Sequence, residues 1–248
     1  MKKIALFACA FALVLTSCSG DDSSSTSENA TLVKRLDIDD ENGTYSTNFF
    51  YNGTKLLRTV DTDGYHVEYT YTGDRITRID YYTGEDVLEQ RDNYTYDSSG
   101  RMTSYQMLNY DGAIGDRETF VYNNDGTVST ELYIGDLSSQ TMLNNTGKIY
   151  FTNGEVTKIE KYDAGILMET NLYTYDTKKN PFMDIKGFNA ISYTDSDAGG
   201  ISHNVLTSDY NGDSYTYQIT YNGNDYPTTA VERDGTNTII STVDVIYQ

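Results

Sequence analysis

The chain has 248 residues, with 37 Asp and Glu against 18 Lys and Arg, two His, two Cys and no Trp. A formal charge of −19 at neutral pH repels phosphate backbones and anionic headgroups, which argues against a nucleic-acid-binding role. Tyr supplies 24 residues and Pro two. Tyr buries a large ring while keeping a polar tip for water, so this composition favours long regular strands with half-exposed faces.

In chain order, Lys2 and Lys3 precede an apolar stretch from Ile4 to Leu15. It is too short to span a bilayer as a helix and is built like a secretory signal. Leu15-Thr16-Ser17-Cys18 follows and resembles the lipobox of bacterial lipoproteins. That resemblance implies cleavage before Cys18, a diacylglyceryl thioether on its sulfur and an acylated amino terminus. Acyl chains worth about 0.8 kcal/mol per buried CH₂ hold a soluble domain at a membrane surface. Residues 1–17 are read as a signal peptide and Cys18 as the lipidation site and membrane anchor. Cys9 leaves with the signal and the Cys18 sulfur is alkylated, so no disulfide supports the fold.

The Ser- and Asp-rich residues 18–30 cannot bury enough apolar surface to order themselves and form a flexible tether. Ser19-Gly20-Asp21-Asp22 resembles the surface-export signal of Bacteroidetes lipoproteins, which implies the outer face of the outer membrane. The alternative is a periplasm-facing anchor. From Cys18 onward 16 Lys and Arg stand against 37 Asp and Glu, a surface suited to solubility and to basic partners.

Residues 31–248 carry a weak internal repeat, clearest in Tyr94-Thr95-Tyr96-Asp97-Ser98-Ser99-Gly100-Arg101-Met102-Thr103-Ser104-Tyr105. An aromatic ends a strand, an Asn/Asp/Gly turn follows, and an apolar-Thr strand leaves. The anchoring aromatics are Tyr51, Tyr71, Tyr96, Tyr122, Phe151, Tyr175 and Tyr221. A second set of turns, including Asp63-Gly64, Thr83-Gly84, Asp163-Ala164-Gly165 and Asp234-Gly235, closes each unit. Two strands and two turns per period of roughly 24 residues predict an all-β antiparallel meander of hairpin repeats. Tyr65, Val67, Tyr69 and Tyr71 alternate with His66, Glu68 and Thr70, which places His66 on the polar face. Ile76 and Ile79, like Val156 and Ile159, break the alternation and predict a bulge or two-sided burial. Between Tyr175 and Tyr221 the spacing doubles, which reads as one remodelled repeat. A short helix or irregular insert is expected near 182–190.

These motifs, with Asn180-Pro181-Phe182 and His203-Asn204-Val205, resemble the YD-repeat (Rhs-like) lipoproteins of flavobacteria and Bacteroides. Among those is a family of unknown function with a porin-like fold. The resemblance implies a curled or barrel-like sheet of roughly fourteen to sixteen strands. It carries no catalytic residue. A membrane-spanning barrel would need Leu, Val and Phe on its lipid face, where this chain offers mostly Tyr and Thr.

Chemical motifs are few. His66 and His203 have no second ligand at metal spacing, so each is read as a surface or hydrogen-bonding residue. Asp37-Ile38-Asp39-Asp40-Glu41-Asn42-Gly43 approximates a calcium loop, but its Gly is one place late and Asn48 stands where a bidentate Glu belongs. Asp195-Ser196-Asp197 is a second acidic cluster; both are read as solvated turns. No nucleophile elbow, zinc-protease helix or phosphate loop occurs, so no cofactor, catalytic or metal residue is assigned. The sequence therefore predicts a non-enzymatic surface lipoprotein whose β-repeat domain is a binding or structural module. Alternatives are a glycan-binding or glycosidase-like protein, with Tyr faces or a carboxylate pair meeting sugar, and an interaction or immunity partner of a secreted Rhs-type toxin.

Overall fold

The structure, a computed structural model, describes residues 30–248; the expected signal peptide and Cys18 lie outside the described residues. Sixteen strands pair antiparallel with their sequence neighbours, and the first pairs with the last to close a barrel. They are β1 Val33–Asp40, β2 Gly43–Asn52, β3 Lys55–Asp61, β4 His66–Thr72, β5 Arg75–Tyr82, β6 Leu88–Tyr96, β7 Met102–Asn109 and β8 Ile114–Tyr122. The second half runs β9 Val128–Asp136, β10 Gln140–Thr152, β11 Glu155–Asp163, β12 Ile166–Tyr175, β13 Val205–Tyr210, β14 Asp213–Tyr221, β15 Pro227–Arg233 and β16 Ile239–Tyr247. The expected barrel-like meander is present, at the upper end of the expected strand number.

The repeat is legible in the ladder. At the near end, where the aromatic-first turns lie, most hairpins carry a bulge just after the turn. Tyr51 pairs with Leu56 while Phe50 pairs with Arg58, so Leu57 is the extra residue. The same shift sets Tyr71 on Ile76, Tyr96 on Met102 and Phe151 on Val156. One extra residue restores the face, so Ile76 and Ile79 both point into the bore, as do Val156 and Ile159, and all four are buried.

The aromatic that names the repeat is a structural rung. Tyr51 Oη donates to the Val33 carbonyl at 2.8 Å, Tyr96 to Ile76 at 2.6 Å, Tyr175 to Val156 at 2.7 Å and Tyr247 to Pro227 at 2.8 Å. Each ring lies inside the wall and ties the end of its strand to the start of the strand before it. On the outer face the repeat's threonines pair across the same hairpins, Thr95 with Thr103 at 3.0 Å and Thr220 with Thr228 at 2.9 Å.

The doubled spacing has a different origin from the expected remodelled repeat. β13 and β14 form an ordinary hairpin, and residues 176–204 are an insertion ahead of it. This segment enters the bore from the near end and contains a single short 3-10 turn, Phe188–Ala190. Phe182, Ile185 and Phe188 pack against Leu32, Leu36, Phe49 and Leu56, while Ile191, Tyr193 and Ala198 pack against Ile79, Phe120 and Val156. Its two ends are latched together by the motif residues. Asn180 Nδ2 reaches the carbonyls of Gly199, Gly200 and His203, and Asn204 Nδ2 reaches Asp176 Oδ2 at 3.0 Å. Glu155, buried at the β10–β11 turn, accepts the backbone N–H groups of Ile201, Ser202 and His203 at 2.7, 2.8 and 3.0 Å.

A rung hydroxyl removed without loss of ring volume should cost about 1 kcal/mol. Tyr96→Phe is therefore expected to lower the urea midpoint with an unchanged m-value. An unaltered midpoint would mean that the ring's burial alone accounts for the repeat.

Candidate functional site

The two faces of the wall differ, the near half of the bore being apolar and the outer face mixing charged side chains with exposed Phe50, Val121, Leu143 and Leu172. Buried Leu36, Leu56, Ile76, Met102, Ile149 and Val243 line the bore. The outer face carries Arg58, Glu68, Arg78, Arg91, Arg117, Glu131, Lys148, Lys158 and Glu160, many of them paired. Arg91 Nε lies 2.5 Å and Arg78 Nε 2.9 Å from the two oxygens of Asp80. Lys158 Nζ lies 2.6 Å from Glu160, which also accepts Tyr150 Oη at 2.6 Å and Tyr162 Oη at 2.7 Å. These donors, Lys158 first, hold the Glu160 carboxyl down at about 2. Arg117 covers the Tyr133 ring at 4.5 Å.

The insert fills the near half of the bore. A cavity of about 50 Å³ remains between it and β13–β16, lined by Pro181, Ala198, Ile219, Ala230 and Val245. That is room for a few waters.

The far half differs. Its turns are two to five residues long, and the lumen face there turns from apolar to acidic. Asp92 and Glu118, each 3 % exposed, sit at the floor where residues 195–197 of the insert arrive. Asp92 accepts Tyr81 Oη at 3.1 Å and Gln90 Nε2 at 2.9 Å. Burial pushes Asp92 and Glu118 each up to about 7, reinforced by the charge of Asp195 and opposed by Gln90 and Tyr81 at Asp92 and by Thr130 at Glu118. Asp116 is raised for the same two reasons. Beside them Lys161 Nζ meets Glu169 at 2.9 Å, and Asn171 Nδ2 donates to Glu169 at 3.0 Å and to the Ser196 carbonyl at 3.2 Å. Asp197 accepts Tyr173 Oη and Tyr210 Oη, both at 2.9 Å, and Tyr217 Oη donates to Glu232 at 2.9 Å. Two buried acceptors at this floor, Glu118 Oε2 and Asn171 Oδ1, have no hydrogen-bond partner.

The residues singled out in the sequence fall as follows. His203 Nδ1 lies 3.0 Å from Glu155 and helps latch the insert. His66 differs from a surface residue: it is 1 % exposed, stacked 4.6 Å from the Tyr82 ring, with Nε2 3.2 Å from Asp86 of the turn folded over it. Burial, then the charge of Arg58, lowers it to about 4, so it is neutral at physiological pH. Asp37 binds Arg35 at 2.7 Å and Ser46 at 2.5 Å on the outer face, and Asp40 caps its own turn, so the calcium-like stretch is spent on local pairing. Among the described residues no group of three or more acidic, His or Cys side chains could hold a metal ion. Asp195-Ser196-Asp197 is a turn of the insert with Asp195 exposed, and its Asp197 is half-buried and accepts Tyr173 and Tyr210. Asp92, Glu118 and Glu232 were beyond sequence reasoning; each sits on the lumen face of its strand, a phase that an alternation count past the bulges would have exposed.

No family model and no curated protein matches the sequence. A solved structure described as a porin-like protein from Bacteroides vulgatus shares the fold, with a TM-score of 0.57 at 12 % identity over 88 % of this chain and 99 % of that chain. A porin-like protein from Bacteroides uniformis has a TM-score of 0.49 at 12 % identity over 87 % and 98 % of the two chains.

The floor carboxylates give a pH signature of defined sign. With folded values near 7 and ordinary unfolded ones, the folded chain holds more protons between about pH 4 and 7. Their contribution is therefore best below the ordinary carboxylate range and is lost as pH rises toward 7. Asp92→Asn with Glu118→Gln should gain on the order of 1–3 kcal/mol at pH 8 and little at pH 4, read by urea unfolding at both. Equal shifts at the two pH values would contradict this.

Proposed function

We propose that the protein is a lipid-anchored barrel at the outer membrane of a Bacteroidetes cell, exposed at the surface, acting as a non-catalytic binding or structural module of the YD-repeat lipoprotein type. The observation that carries this reading is the set of Arg and Lys side chains distributed over the outer wall. A porin-like barrel in lipid needs an apolar outer belt, and an Arg or Lys at the bilayer midplane costs roughly 2–4 kcal/mol. Here Arg58, Arg78, Arg91, Arg117, Lys148 and Lys158 stand on the outer wall among scattered exposed apolar residues such as Phe50, Val121 and Leu172, and the near half of the bore is filled by apolar side chains, an arrangement suited to water outside and a packed core within. The lipobox-like Leu15-Thr16-Ser17-Cys18 supplies the membrane attachment that such a wall does not provide. Surface exposure rests on the acidic run behind Cys18.

The sugar-directed alternative is favoured less. Tyr51, Tyr96, Tyr175 and Tyr247 are committed as internal rungs rather than presented as a platform, and the floor carboxylates lie against the insert.

Two measurements test the proposal. Metabolic labelling with palmitate should mark the wild-type chain and not Cys18→Ser, which should leave the membrane fraction. The purified protein added to planar bilayers should give no conductance. Stable conducting steps, or unlabelled wild-type protein, would overturn it.

A further inference from the structure

The far end of the barrel has an asymmetric lining that the anchored-module reading leaves unused. Along β7–β12 the register places Met107, Ile114, Leu132, Ile134, Met142 and Ile166 on the lumen face near the rim. Side chains on the same face deeper in the bore are buried, whereas Ile114 is 50 %, Met142 61 % and Ile166 67 % exposed. This aliphatic crescent is interleaved with acids on the same face: Asp116, Asp163 and Glu169, with Glu232 across the bore. Lys161 is already held by Glu169. At the floor, Glu118 Oε2 and Asn171 Oδ1 are buried acceptors without donors. An aliphatic wall takes apolar side chains, and an acceptor-rich lining calls for cationic donors.

We infer that the far mouth of the barrel is a docking site for a basic amphipathic peptide segment, its apolar side chains against the crescent and its Lys or Arg groups toward Asp116, Asp163 and Glu232. Charge complementarity selects this occupant. The outer membrane's own anionic lipids are repelled, and a neutral glycan would leave the carboxylates without counter-charge. The near end holds Val33, Tyr247 and the entry of the insert, so a tether attached there leaves the far mouth turned away from the point of attachment. The inference deepens the binding-module reading. It stands on binding in solution, whereas the anchored reading stands on acylation of Cys18, so either can fail without the other.

The probe is a fluorescein-labelled peptide of alternating Lys and Leu, titrated with the full-length protein and read by anisotropy. It should bind at least about tenfold more tightly than its Glu–Leu counterpart, and the difference should shrink with added salt. Met142→Ser with Ile166→Ser, and separately Asp116→Asn with Asp163→Asn, should each weaken binding by about tenfold. Thermal melts should show little change for the Met142/Ile166 pair, because those side chains are mostly exposed. The outer-wall pair Glu68→Gln with Glu131→Gln, carrying the same charge change, should leave binding intact. Equal loss from the outer-wall pair, equal affinity for the acidic peptide, displacement by the neutral sugar maltoheptaose, or no binding at millimolar protein would each overturn the assignment.

Discussion

A sixteen-strand wall encloses a bore that its own side chains cannot fill; barrels of this size in membranes hold a water channel. This wall points its buried aliphatic side chains and its rung tyrosines inward, so an empty bore would expose the surface that should drive folding. The structure depends on resolving that conflict. Residues 176–204 do so by bringing Phe182, Ile185, Ile191, Tyr193 and Ala198 inside. The insert has almost no regular secondary structure, and its buried backbone would be costly if left unpaired. Glu155 and Asn180 answer that cost with hydrogen bonds to consecutive peptide groups at its exit, and Asn204 reaches the Lys179 carbonyl at its entry.

Tyr suits this design for a specific reason. A Leu at a rung position would fill volume but leave a carbonyl beside the bulge with one partner fewer. Tyr fills the same space and reaches the neighbouring strand with its hydroxyl, as Tyr96 does to Ile76. The bulge and the rung are then two halves of one device. The bulge rotates the outgoing strand so that two apolar residues, such as Ile76 and Ile79, both face inward, and the rung fixes the carbonyl it displaces.

The sequence disclosed the repeat, the hairpin turns and the irregular insert because each depends on local signals: turn chemistry, period-two alternation and the failure of that alternation. It disclosed the bulges only as alternatives, since Ile76 and Ile79 could equally have been buried on two faces. The gap from Tyr175 to Tyr221 was misleading, because spacing cannot distinguish a distorted hairpin from an added loop. The floor of the far chamber was opaque for a different reason. Asp92, Glu118, Glu232 and Asp197 come from separate parts of the chain and meet through barrel closure and entry of the insert, and in so acidic a sequence no carboxylate stands out. His66 shows the same limit: its burial comes from a turn that folds over it, a tertiary event without a signature at residue 66.

One further property follows from the seam where Val33 pairs with Tyr247 and Asp40 with Ser241. All the other ladders join neighbours in sequence, most of them through tight turns, and can zip locally. This one joins segments some two hundred residues apart and carries the largest loop-closure entropy in the molecule. Until it forms, β1 and β16 are both open sheet edges, able to recruit strands from other molecules. Crowding during folding is therefore most hazardous while the cylinder is still an unrolled ribbon, and it is the charged side chains along β1, Arg35, Asp37 and Asp39 among them, that would discourage such mispairing.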